Sequence, residues 1–311
     1  MTQKAWRPPE RGTVTLGVSA ANYIDRPDLR LSTKALYAST WSRHLEPTWG
    51  SMTITEVTPE RVRAWHSHAA RTTGPTALAI AYRLLRSILN VAVDDGVVET
   101  NPCRIKSAAT PKAAIHARAL TAAEVLEIAD AMPARYRVLV LVLGFGGLRF
   151  GEATALRRQD VGANGAQVTV ERTARYVQGS WLVGPPKAEA GRRTVALPAF
   201  VAKAVKQHLS TFVAREKDAL VFGTSSGSFV AGSNFGKTFG RAVQQCGLPP
   251  ARVHWLRHTG ATLAASTGAS TKDLMHRLGH ASADAALTYQ HAASTRDSEI
   301  ARALDALVNP P

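Results

Sequence analysis

Apolar residues recur at helical spacing through most of this chain. Over Ser32 to Leu45, the side chains Leu36, Tyr37 and Trp41 share a face, and Pro47 with Gly50 predicts the end of that helix. Thr58-Pro59-Glu60 reads as an N-cap with proline at the first helical position, and Val62, Trp65 and Ala69 carry the helix on. A stripe of Leu78, Ala81, Leu84, Leu85, Ile88 and Val91 predicts a helix over residues 75–93, which Asp94-Asp95-Gly96 stops. A weaker amphipathic stretch over residues 13–25 makes four helices. A polar lead-in containing Pro8-Pro9 precedes them.

Periodicity lapses over residues 101–118, which are rich in Pro, Ala and basic side chains, as expected of a linker. Thr121-x-x-Glu124 then forms a capping box that opens a second helical set, at 121–131, 134–146 and 150–157. The pattern changes to strands at 166–172 and 193–197, with 180–184 between them, and Pro185 to Gly191 predicts a hairpin turn carrying Lys187. Helices return at 199–210, 233–246, 255–266, 271–278, 283–291 and 296–307. In the last, Ile300, Ala303, Leu304 and Leu307 share a face that packs either on its own domain or on a neighbouring protomer.

A length of 311 residues favours two domains, and 45% hydrophobic content suffices for real cores, which excludes a disordered chain. The longest apolar run, Val138 to Gly147, is too short to span a bilayer, and the first residues carry no apolar signal core. Cys103 and Cys246 stand alone, with no disulfide framework, which fits a reducing cytoplasm. The expectation is therefore a cytoplasmic protein without membrane contact. Net charge sharpens the picture. The chain carries +15, and about +7 falls before residue 120 and about +8 after it, so both halves suit a grip on one polyanion. Arg83 and Arg86 lie on the 75–93 helix and Arg71 just before it; a solvated face and a helix lying in a DNA groove are both open readings.

Four polar islands stand out in the second half: Gly147-Leu148-Arg149-Phe150-Gly151-Glu152, Lys187, His254-Trp255-Leu256-Arg257-His258, and Leu278-Gly279-His280 followed by Tyr289. Arginine forks bind phosphate oxygens, lysine or histidine donates a proton to a leaving oxygen, and tyrosine serves as a nucleophile. Together these residues resemble the tyrosine recombinases, the family of phage integrases and Xer-type resolvases. Members carry G-L-R-x-[GS]-E, a hairpin lysine, H-x-L-R-H, L-G-H and a tyrosine in this order. The N-terminal half resembles the family in style, with four helices and Asn101-Pro102 before the linker.

The resemblance implies a mostly α fold: a four-helix SAM-like core-binding domain plus an α+β catalytic domain with a small antiparallel sheet. The expected division is a flexible lead-in at 1–12, a core-type DNA-binding domain at 13–107, a linker at 108–118 and a catalytic domain at 119–311 with a tail helix. It implies that Tyr289 attacks the scissile phosphate to give a 3′-phosphotyrosine. Arg149 and Arg257 would clamp the non-bridging oxygens, Lys187 would protonate the 5′ leaving oxygen, His254 and His280 would assist, and Glu152 would support the arginines. Trp255 departs from the family pattern and is read as packing. The implied partner is double-stranded DNA held by a homotetramer on synapsed sites, in a bacterial host and near its nucleoid, with an accessory directionality factor as an optional partner. Only about a dozen residues precede the first helix, so no separate arm-binding domain is expected.

The chemistry has its own logic. A free tyrosine is about one part in a thousand phenolate at neutral pH. Fixed guanidinium groups stabilise both the phenolate and the charge built on phosphorus, without a cofactor or metal. A phosphotyrosine conserves the energy of the broken bond, so no ATP is needed. The nearest approach to a P-loop, Gly232 to Thr238, is one residue short. Histidine pairs at His254/His258 and His276/His280 have zinc-binding spacing but lack the partners of a metal hydrolase. A non-catalytic DNA-binding protein explains the charge but not the six positions. A type IB topoisomerase shares the chemistry, though the L-G-H box favours a recombinase. An integrase is expected over a Xer-type dimer resolvase.

Overall fold

A computed structural model describes residues 13–110, 118–186 and 188–279. The chain divides into two compact units, Met1–His116 and Ala117–Pro311. The lead-in 1–12, residues 111–117 and the helices expected at 283–291 and 296–307 lie outside the described residues.

The first unit is helical. Its elements are α1 (Leu16–Ile24), α2 (Leu31–Thr40), α3 (Glu46–Trp49), α4 (Pro59–Ala69) and α5 (Pro75–Asp94). Thr58 caps α4 by accepting from the Arg61 amide, as its sequence predicts. α5 is long and apolar enough to cross a membrane by length and composition, but Leu78, Leu84, Leu85, Ile88 and Leu89 are buried in the unit's core with Trp49 and Trp65. One expectation fails here. The helix expected to end before Pro47 continues through a π-turn, Trp41–Leu45, into α3. The Glu46 amide bonds back to Trp41 O, five residues earlier, and Pro47 sits in the first turn of α3, where a missing N–H costs little.

The second unit is built around α7 (Ala134–Gly146), whose residues Val138 to Leu143 are all buried. Around it lie α6 (Ala122–Ala131), α8 (Phe150–Ala153), α9 (Ala199–Phe212), α10 (Gly232–Gln245), α11 (Val253–Ser266) and α12 (Thr271–Leu278). α11 approaches α7 very closely because Gly260 has no side chain: a Cβ there would lie 2.7 Å from Gly144 O. The helix expected at 150–157 stops at Ala153. Arg157 is extended and bridges to Leu220, and the Asp160 carboxylate accepts its amide.

The strands are β1 (Gln167–Val170), β2 (Thr173–Val177), β3 (Ser180–Gly184) and β4 (Arg193–Ala196). The hairpin expected between 180–184 and 193–197 does not form. β3 pairs with β2, and β4 pairs with β1, both antiparallel. The actual hairpin turns at Gln178-Gly179, both at positive φ (47° and 84°), as a two-residue primed turn requires. On that hairpin the Trp181 ring meets Tyr176 edge-on and Phe229 at a tilt.

Candidate active site

Two left-handed glycines set the site. Gly147 (φ 68°) ends α7 and Gly279 (φ 64°) ends α12. Carbonyls at helix C-termini lack intrahelical donors and attract cations. Gly147 O accepts Arg257 Nη1 at 2.7 Å, Leu278 O accepts Arg257 Nη2 at 2.6 Å, and Gly279 O accepts Arg149 Nη2 at 3.3 Å. Residues 108 positions apart in sequence are thereby gathered at two helix ends.

Glu152 lies at the centre. Arg149 is the N-cap of α8, and the Glu152 carboxylate reaches back to its amide at 2.9 Å. The same carboxylate takes Arg149 Nη1 at 2.7 Å through Oε1 and Arg193 Nη2 at 2.9 Å through Oε2, with Arg257 Nη1 4.0 Å away. Burial alone would raise its pKa, but the charge and hydrogen bond of Arg193, then the Arg149 amide and guanidinium, outweigh it, and the carboxyl lies below its ordinary value. The Arg149 side chain is 41% exposed while those of Arg257 and Arg193 are 5% and 1% exposed, so Arg149 is the most open of the three.

His254, one turn before Arg257 and His258 on α11, borders a cavity of about 240 Å³ with Arg257, Leu148, Phe150 and Gly232. Its ring meets that of His258 edge-on at 4.7 Å. Burial first, then the charges of His258, Arg257 and Arg149, push its pKa below the usual histidine value, so it is mainly neutral at neutral pH. Trp255 is buried.

Of the sequence-derived candidates, Arg149, Glu152, His254 and Arg257 meet here. Lys187, His280 and Tyr289 lie outside the described residues; their neighbours Pro186, Ala188 and Gly279 are described, and Gly279 touches Arg149. Arg71, Arg83 and Arg86 belong to the other unit and are exposed, Arg83 and Arg86 on α5. Sequence reasoning missed Arg193. The signal was parity: on β4, Arg193 shares the inward face with Val195, and a buried arginine demands a carboxylate.

Three arginines gathered on one buried glutamate offer guanidinium forks of the kind that bind carboxylates and phosphates. The family model named Phage integrase family matches residues 118–296, more than half the chain and all of this site. The chain belongs to the phage integrase family. It is a tyrosine-type site-specific recombinase, an enzyme that breaks and rejoins DNA. The prophage phiRv2 integrase of Mycobacterium tuberculosis strain H37Rv is 36% identical over 311 residues, covering 98% of this chain and 83% of that protein. Among solved structures, the Tn1549 transposon integrase in complex with transposon right end DNA has a TM-score of 0.79 at 19% identity, covering 92% of this chain and 99% of that one. A lambda integrase tetramer bound to a Holliday junction has a TM-score of 0.68 at 18% identity, covering 89% and 78%. These two share the fold, including the mostly helical build with small antiparallel ribbons.

Proposed function

We propose that this chain integrates or excises a phage or mobile element by cutting each DNA strand with Tyr289. The observation that supports it best is the pairing of Arg149 and Arg257 around one buried carboxylate, at the ends of α7 and α12. In this reading the two guanidinium groups bind the non-bridging oxygens of the scissile phosphate and stabilise the charge that builds there. The Tyr289 phenolate attacks phosphorus, and the bond to the 5′ oxygen breaks. Lys187 gives that oxygen its proton. His254, neutral near pH 7, and His280 hydrogen-bond the reacting phosphate. A 5′ hydroxyl from a partner strand then attacks the phosphotyrosine and releases the enzyme, so the cycle needs no nucleotide.

The first unit, with Arg71, Arg83 and Arg86 on its surface, grips the duplex beside the cut. Four copies act on two synapsed sites in the cytoplasm of a bacterial host, at its nucleoid, and a directionality factor biases the outcome. The test uses a duplex site recovered by selection for binding, nicked next to the cut so that the leaving fragment diffuses away. Wild type accumulates a covalent adduct and Tyr289→Phe binds without forming it. An adduct with Tyr289→Phe, or none with wild type, contradicts the proposal.

A further inference from the structure

Arg193 belongs to none of the sequence motifs, yet its guanidinium is a junction within the site. It projects from β4 into the core, with its side chain 1% exposed. Nη2 donates to Glu152 Oε2 at 2.9 Å, Nη1 to Gly191 O at 2.9 Å and Nε to Arg277 O at 2.7 Å. One side chain thus ties α8, the segment leading into β4 and the last turn of α12. All three of its nitrogens are bonded inside the protein. It reaches Arg149 and Arg257 only through Glu152.

We propose that Arg193 is a positioning residue: by pairing with Glu152 and tethering the Gly191 and Arg277 carbonyls, it locks the carboxylate that aims Arg149 at the scissile phosphate. This rests on the reading of Arg149 as a phosphate ligand. The groups facing Glu152 are Arg149 on its own helix, Arg193 from β4 and Arg257 from α11; Arg277 of α12 lies beyond Arg193, and His254 lies beside Arg149 and Arg257. Two of these arginines have a second duty. When a phosphate binds, Arg149 and Arg257 are shared with another anion, and Arg193 is the cation left wholly to Glu152. Without it, burial favours the protonated acid, which has lost an acceptor for the Arg149 fork. A lysine would supply the charge but not three planar, divergent donors.

The experiment compares wild type, Arg193→Met, Glu152→Gln and the double variant on the nicked duplex from pH 5.5 to 8.5, with DNA binding measured in parallel. Arg193→Met should bind the duplex like wild type and cleave about tenfold to a hundredfold slower at pH 6. Its rate relative to wild type should recover as pH rises and Glu152 ionises, and the double variant should show no such recovery relative to Glu152→Gln. Glu152→Gln and the double variant should cleave at rates within about twofold of each other. A wild-type pH profile in Arg193→Met, or a double variant about tenfold slower than Glu152→Gln, overturns the proposal. If Arg193→Met does not fold, the second comparison decides, because the double variant leaves neither Arg193 nor Glu152 buried without the other. If wild type forms no Tyr289 adduct, the assignment of the reaction fails. Carbon-13 titration of the Glu152 carboxyl then judges Arg193 separately: a midpoint higher in Arg193→Met than in wild type supports it, and an unchanged midpoint overturns it.

Discussion

Replacing Gly260 by alanine tests whether the helix packing that aims Arg257 is as tight as described. The new Cβ would lie 2.7 Å from Gly144 O and 3.1 Å from Gly147 Cα, where 3.4 Å marks ordinary contact. Both neighbours are backbone of α7, so neither yields by rotating a side chain, and α11 must retreat by about 0.7 Å. Overpacking of this kind costs about 1–3 kcal/mol, offset by about 0.5–1 kcal/mol from better helix propensity, for a net loss of about 1–2 kcal/mol. Arg257 sits one turn before Gly260, and its 2.7 Å bond to Gly147 O would stretch with the helix. A reacting group misplaced by an ångström costs up to about a hundredfold, so cleavage should fall about tenfold or more while DNA binding persists. Gly240→Ala on α10 is the control, since a Cβ there meets nothing within 4 Å. It should gain about 0.5 kcal/mol. Urea unfolding gives the stabilities and the nicked-duplex assay the rates. If Gly260→Ala proves as stable as Gly240→Ala and cleaves like wild type, the close approach of α11 to α7 is wrong.

Trp181→Ala removes both ring contacts that hold the β2–β3 hairpin, at 5.2 Å to Tyr176 and 5.0 Å to Phe229. At about 0.5–1.5 kcal/mol per pair, amide exchange over residues 173–184 should quicken about tenfold to a hundredfold, and unchanged exchange would mean the rings do not pin the hairpin. Stability should also fall between pH 7.5 and 5.5. Burial, ahead of other influences, puts His208, His254 and His258 below the ordinary value of 6.5. The unfolded chain therefore takes up protons first, and the stability present above that value is lost as pH falls through the folded values. His208, buried with Nε2 2.7 Å from Val221 O, accounts for part of this. His208→Gln should show a smaller drop in urea midpoint over that interval, and an equal drop would contradict its role.

Much of this architecture was legible because local signals agree with the fold. The Thr58-Pro59 start of α4 and the Thr121–Glu124 capping box form as the sequence implies, and the apolar stripe of α5 faces its core except at Val91, which is exposed. What escaped depends on partners remote in sequence. Pro47 reads as a stop, but a π-turn five residues long shifts the hydrogen-bond register and lets the helix pass it. Gln178-Gly179 lacks the Asn-Gly signature of a primed turn, so β2 went unrecognised and β3 was paired with the wrong strand. The arginine and glutamate of Gly147 to Glu152 were visible as a motif. The third arginine on that carboxylate was not, because Arg193 comes from a strand 41 residues away and only the pairing of β4 with β1 turns it inward.

The central claim is that the guanidinium pair serves a tyrosine nucleophile 32 positions after Arg257. Digestion of the trapped protein–DNA adduct, followed by mass spectrometry of the nucleotide-bearing peptide, reads this out directly. The account predicts a single modified peptide with a 3′-linked nucleotide on Tyr289. A nucleotide on any other side chain, or a 5′ linkage, would contradict it.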